Sequence, residues 1–201
     1  MQVLRLATTN PHKLREVREL LARLDVRVDT LTGRPTIADP EETAATFAGN
    51  ARLKARHYAA HYPDELVMSE DSGLAIDALG GAPGVHSARF LGRDAGYPAR
   101  FAEILRRLAD VPEERRTARF VCALAVAHGD RIVFETEGVV EGRIAPRAAG
   151  AGGFGYDPIF FCPELGCSLA EAGDSKADVS HRGKAVAALA RWVTDLKSAH
   201  R

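Results

Sequence analysis

Two periods of apolar spacing divide this chain. A short run, QVLRLA (2–7), has the length and composition of a strand, and after TTNPHK (8–13) the positions Leu14, Val17, Leu21 and Leu24 recur every three or four residues, which predicts a helix. Asn10 fits an N-cap and Pro11 the first helical position, where its missing N–H costs nothing. A second helix is predicted to start the same way, with Asp39 as cap, Pro40 behind it and Glu42 three residues after the cap, and to continue through FAGNARLKARHYAAHY (47–62). ELVMS (65–69) reads as a buried strand that delivers the chain to two adjacent acids, Glu70 and Asp71. Further on, FAEILRRL (101–108) is a short amphipathic helix. ARFVCALAVAH and RIVFETEGVVEGRI are strand-like runs separated by Gly129 and Asp130, a hairpin signal, and GKAVAALARWVTDLK (183–197) predicts the last helix. Strands and helices are mixed without a strict βαβ rhythm, so the expected class is α/β with a mixed central sheet flanked by helices, not a simple doubly wound fold.

Composition narrows the classes of partner. With 201 residues and 46% hydrophobic positions there are enough apolar side chains for one globular domain spanning 1–201, as a single core or a core with two lobes. Lys plus Arg, 27, equals Asp plus Glu, 27, so no net positive field holds a polymeric nucleic acid. Cys122, Cys162 and Cys167 form no CxxC pair and have no neighbouring His cluster, which fits reduced thiols and a cytoplasmic location. The first residues lack the apolar centre of a signal peptide, and the longest apolar run, FVCALAVA, is too short to cross a bilayer as a helix, so a soluble protein with no membrane partner is expected.

Candidate chemistry gathers in a few stretches. Neighbouring side chains on a strand point to opposite faces, so of Glu70 and Asp71 one is expected to work in a site and the other to support it; the alternative is a polar turn in which Asp71 caps the next segment. Magnesium is commonly held by one or two carboxylates together with waters and substrate phosphate oxygens, and Glu42 is a candidate second carboxylate, although a capping box would equally account for it. TTNPHK places Thr8, Thr9, Asn10 and Lys13 at a strand-to-helix turn, where backbone N–H groups and the helix dipole favour anions; it lacks the GxxxxGK[ST] pattern. Asn50 and Lys54 lie one helical turn apart, as they also would on any solvated face. In AGAGGFGYDPIFF the glycines allow close approach of backbone to a ligand, with Phe154 and Tyr156 set among them, and DSKADVSHRGKA puts Lys176, His181, Arg182 and Lys184 around the start of the last helix, with Ser180 as its candidate cap.

In this order, TTNPHK, EET followed by NARLKA, EDSGLAIDALGGAPGVHSARF, GGFGYDPIF and SHRGKA closely resemble the motifs of the inosine triphosphate pyrophosphatase family, the XTP/dITP diphosphatases. The chain departs from the family pattern at Thr9, often glycine, at Glu70, often aspartate, and at Gly49, often glutamate. The resemblance implies an elongated mixed sheet in two lobes with the active-site cleft between them. It also implies a homodimer, and a Mg2+-dependent cleavage of purine nucleoside triphosphates (ITP, dITP, XTP) into monophosphate and pyrophosphate. By the same correspondence Asp71 is the catalytic carboxylate and a metal ligand, with Glu42 as its metal partner. Thr8, Thr9, Asn10, Pro11, His12 and Lys13 form the triphosphate cradle, supplemented by Lys54, Ser72 and Arg89. Phe154, Gly155, Tyr156 and Asp157, with Lys176, His181 and Arg182, form the base and sugar pocket. Donors from His181 and Arg182 suit a 6-keto purine and go unpaired against adenine.

Overall fold

The strand Leu66–Ile76 runs well past the apolar stretch that announces it. The computed structural model describes residues 4–23, 28–31 and 37–199; Gln2, Val3 and Leu24 of the predicted elements lie outside them. In chain order the elements are β1 (Leu4–Leu6), α1 (Pro11–Arg23), β2 (Asp29–Thr30), α2 (Phe47–Ala59), β3 (Leu66–Ile76), α3 (Tyr97–Arg107), β4 (Thr117–His128), β5 (Arg131–Ile144), β6 (Phe160–Cys162), β7 (Cys167–Ser168), α4 (Lys176–Val179) and α5 (His181–Ala199). The sheet has the order β2-β1-β3-β4-β5-β6-β7. Strand β1 is parallel to β2 and β3, while β5–β6 and β6–β7 are antiparallel, so the sheet is mixed as expected. Only two residues join β4 to β5, a connection that an antiparallel pair alone can make.

The chain divides into two compact units, one made of Met1–Asp71, Cys122–Gly138 and Arg182–Arg201, the other of Ser72–Val121 and Val139–His181. In the first, Ala51, Ala55 and Ala59 of α2 share a buried cluster with Ala123, Ala125 and Ala127 of β4. Side chains this small let the helix axis come close to the sheet, which brings the neighbouring α2 positions 50, 54 and 58 near the strands. The second unit has a larger-residue core around Leu74, Ile76, Ile104, Phe120, Val140, Ile144, Tyr156 and Phe160.

Helix α1 begins as predicted: Pro11 is its first residue, and Asn10 Oδ1 accepts from the N–H groups of His12 and Lys13 at 3.0 and 3.2 Å. Helix α2 does not. Its cap is Thr46, whose hydroxyl accepts from Gly49 N at 3.1 Å, and residues 37–44 are not helical. The predicted capping box from Asp39 to Glu42 fails because both side chains are used elsewhere: Asp39 accepts from the hydroxyls of Thr9 and Tyr58, and Glu42 accepts from Lys54. Strand β3 likewise does not stop at the acids but continues five residues beyond Asp71 to Ile76. The polar-turn alternative therefore falls; buried Ser69, Glu70 and Asp71 each find a polar partner, which lets an extended backbone carry them through the interior.

Candidate active site

Because β3 stays extended, its two acids serve opposite faces, and each takes a different lysine. Glu70, 3% exposed, lies 3.1 Å from Lys13 Nζ, accepts from the Cys122 thiol at 3.1 Å and faces Arg182 Nη2 at 3.3 Å. Burial works against its charge, but Arg182, Lys13 and the Cys122 thiol more than compensate and hold its pKa far below the ordinary carboxylate range. Asp71, 5% exposed, accepts from Asn50 Nδ2 at 3.1 Å through one oxygen and from Lys54 Nζ at 2.9 Å through the other. Lys54 also reaches Glu42 Oε1 at 2.7 Å. One ammonium thus answers two carboxylates. Burial, with a contribution from Glu42, raises the Asp71 pKa, and Lys54 and Lys13 offset this only in part. Burial acts against the Lys54 charge, yet Asp71 and Glu42 outweigh it, so its pKa is raised.

The site's chemistry fits a hard divalent cation bound with few protein ligands. Among the described residues no three His, Cys, Asp or Glu side chains gather at one point, which leaves no all-protein cage there. What remains is a pair of carboxylates converging on a single cationic position, the arrangement that magnesium uses when phosphate and water complete its shell. Glu41 is exposed and Glu70 is turned to Lys13 and Arg182.

Residues 8–13 form the expected strand-to-helix turn, with one difference. The N–H groups of His12 and Lys13 are already capped by Asn10 Oδ1, and Asn10 N donates to the Thr8 hydroxyl at 3.3 Å. The exposed Pro11 and His12 sit on the first turn of α1, and Arg15 donates to His12 Nδ1 at 3.2 Å. At its β1 end the turn is tied to β3, since Ala7 N donates to Met68 O and the Ser69 hydroxyl donates to Ala7 O, both at 2.9 Å.

In the second unit the glycine-rich loop folds around Asp157. Its carboxylate accepts from Phe154 N at 2.8 Å and from Lys176 Nζ at 2.9 Å, and Lys176 Nζ lies 5.4 Å from the centre of the half-buried Phe154 ring. Gly153 has φ +67°, and a Cβ there would collide with Asp157 Oδ2. Tyr156 is a core residue: 2% exposed, its ring meets Tyr97 edge-on and its hydroxyl donates to Ser87 O at 2.8 Å. Gly155 (φ +70°), Ser72 and Arg89 are half-buried in this unit. His181 opens α5, is 4% exposed and stacks on Phe120 at 4.9 Å. Its neighbour Arg182, in the first unit, pairs with Glu16 and Glu70 and is 1% exposed.

The structure thus brings Glu42, Lys54 and Asp71 together, sets Lys13 and Arg182 on Glu70, and gathers Phe154, Asp157 and Lys176 in the other unit. Asn50 is readable from the sequence only as a partner of Lys54 on one helix face; it is a buried ligand of Asp71 whose Oδ1 also accepts from Ala44 N at 3.0 Å. Glu16 and Cys122 carry no local signal, since their roles arise from pairing across distant segments.

Fold and site together define an α/β protein with a lysine-bridged carboxylate pair beside a capped strand-to-helix turn. The chain belongs to the Ham1 family, whose pattern it matches over residues 4–192. A dITP/XTP pyrophosphatase from Exiguobacterium sibiricum is 46% identical over 94% of this chain and 95% of its own length. One from Geobacillus kaustophilus is 47% identical over 94% and 93%. The structure of a Ham1 protein from Coxiella burnetii superposes with a TM-score of 0.87 at 37% identity, covering 97% of this chain and all of that one. A nucleoside-triphosphatase / dITP/XTP pyrophosphatase from Mycobacterium abscessus gives 0.75 at 41% identity, over 94% and 98%. The resemblance read from the motifs is upheld. No helix among the described residues is long and apolar enough to cross a membrane.

Proposed function

We propose that this chain is a magnesium-dependent dITP/XTP pyrophosphatase that hydrolyses ITP, dITP and XTP to the nucleoside monophosphate and pyrophosphate, and so clears such nucleotides from the precursor pool of DNA and RNA. The observation that carries the reading is the sharing of Lys54 by Glu42 and Asp71: two carboxylates aimed at one cationic point, in the same unit as the turn that presents Lys13. Magnesium held by these two carboxylates would neutralise phosphate charge and lower the pKa of a bound water. Asp71 is the base, taking the proton of the attacking water on a carboxylate oxygen. Lys54, and Lys13 held by Glu70, would neutralise the outer phosphates, which the turn at residues 8–13 grips as leaving group. Phe154 stacks on the purine, and Asp157, Lys176, His181 and Arg182, with Ser72, Gly155, Tyr156 and Arg89, complete the substrate set by correspondence with the family motifs. The homodimer and the cytoplasmic location belong to the same proposal.

The test is a panel of ITP, dITP, XTP, GTP and ATP with magnesium and with the metal chelated, reading both products. Pyrophosphate and monophosphate from ITP, dITP and XTP, lost on chelation, is the expected result. Orthophosphate with the diphosphate would make the protein a different phosphohydrolase. Tight nucleotide binding without turnover would make it a sensor.

A further inference from the structure

We infer that Asp39 is a positioning residue of the phosphate site, acting through Thr9; the inference rests on the reading of residues 8–13 as the cradle. Asp39 lies in no regular element, yet both its oxygens are occupied: Oδ2 accepts from the Thr9 hydroxyl at 2.7 Å and Oδ1 from the Tyr58 hydroxyl. Tyr58 is 1% exposed and stands on α2 at the third step of the series Asn50, Lys54, Tyr58, spaced by four and therefore on one face. That face holds Asp71 through its first two members and Asp39 through its third. Asp39 in turn holds Thr9, inside the turn whose two ends are secured by β3 at Ala7 and by the Asn10 cap. Remove the carboxylate, and the middle of the turn loses its tie to the helix that carries Lys54.

Electrostatics makes the choice of an acid informative. A carboxylate beside a triphosphate site repels the substrate, and here it is balanced by two neutral hydroxyls in the described contacts and not by a cation. Such a group costs affinity unless its geometric effect is larger. The sign of the response to its removal therefore separates positioning from mere proximity.

The experiment is a double-mutant cycle on ITP hydrolysis with Asp39→Ala and Thr9→Val, each variant checked by circular dichroism, and Thr9→Ser as the conservative control. Charge-assisted hydrogen bonds are among the stronger ones, but this one is largely solvated, so each single change should raise KM roughly three- to tenfold with kcat within about twofold. The double variant should be no worse than the worse single, because both remove one link, and Thr9→Ser should restore wild-type KM. Additive effects would mean that Thr9 works directly on phosphate, and an unchanged or lowered KM in Asp39→Ala would leave only repulsion; either overturns the inference. Should Asp39→Ala fail to fold, Asp39→Asn takes its place: one amide oxygen then serves two hydroxyl donors, so a smaller rise in KM, about two- to threefold, is expected, and an unchanged or lowered KM overturns the inference. If the wild type hydrolyses no ITP, it is the functional reading that fails. Calorimetric binding of inorganic tripolyphosphate then decides the inference separately, with weaker binding by Asp39→Ala expected and equal binding overturning it.

Discussion

Lys54 carries more of the site's electrostatics than either acid alone, because a single ammonium balances Glu42 and Asp71 while the neighbouring Glu70 is met by two cations, Lys13 and Arg182, the second of them shared with Glu16. The two adjacent acids accordingly have different fates on substitution. Asp71→Asn keeps the shape and an oxygen that can accept from Asn50, but cannot take a proton at neutral pH; turnover of ITP should fall at least ~100-fold with folding retained, and a purified variant running near the wild-type rate would remove Asp71 from the chemistry. Glu70 should show itself in stability instead. Its folded-state pKa is depressed, so its contribution is complete above the unfolded-state value near ~4.3 and is lost as pH falls below that value towards the folded one. Urea unfolding at pH 7 and pH 4 should therefore show a larger acid loss for the wild type than for Glu70→Gln. Equal losses would mean that the buried acid is not ionised in the fold.

At the scale of elements, periodicity and caps are legible where the deciding interactions are local. The Asn10–Pro11 start of α1, the Gly129–Asp130 connection and α3 all stand as expected from the residues around them. The start of α2 and the length of β3 do not, because Asp39 is claimed by Thr9 and Tyr58, and Glu70 and Asp71 are paired by side chains from other segments; no window of a dozen residues contains that information. The placement of Tyr156 is nonlocal in the same way, since its burial against Tyr97 and its bond to Ser87 O draw on segments far from the glycine-rich loop. The loop that carries it has its own local requirement. Gly153 combines a left-handed backbone with no room for a Cβ beside Asp157, so Gly153→Ala should destabilise by about 2 kcal/mol or more in denaturant unfolding, roughly the left-handed penalty plus displacement of a buried ion pair. A midpoint within error of the wild type would show that Asp157 does not hold the loop in solution.

For the molecule as a whole, the division of labour among its segments bears on where the nucleotide is cut. The candidates for gripping phosphate, Thr8–Lys13 and Lys54, and the proposed base, Asp71, all belong to the first compact unit, whereas the purine candidates Phe154, Asp157 and Lys176 belong to the second. This assignment is partly legible in the chain, since the motifs lie at opposite ends of it, but which residues share a unit depends on the return of Cys122–Gly138 and Arg182–Arg201 to the first. If the cations of the first unit hold the outer phosphates, in-line attack by a water that Asp71 deprotonates falls on the α-phosphorus, and pyrophosphate departs intact. Hydrolysis of ITP in 18O-enriched water should then place the label in inosine monophosphate, leave pyrophosphate unlabelled and release no early orthophosphate. Label in the pyrophosphate would put the attack on the β-phosphorus, and a first product pair of diphosphate and orthophosphate would put it on the γ; in either case Lys13 and Lys54 would have to be reassigned from the leaving group to the electrophile, and Asp71 with them.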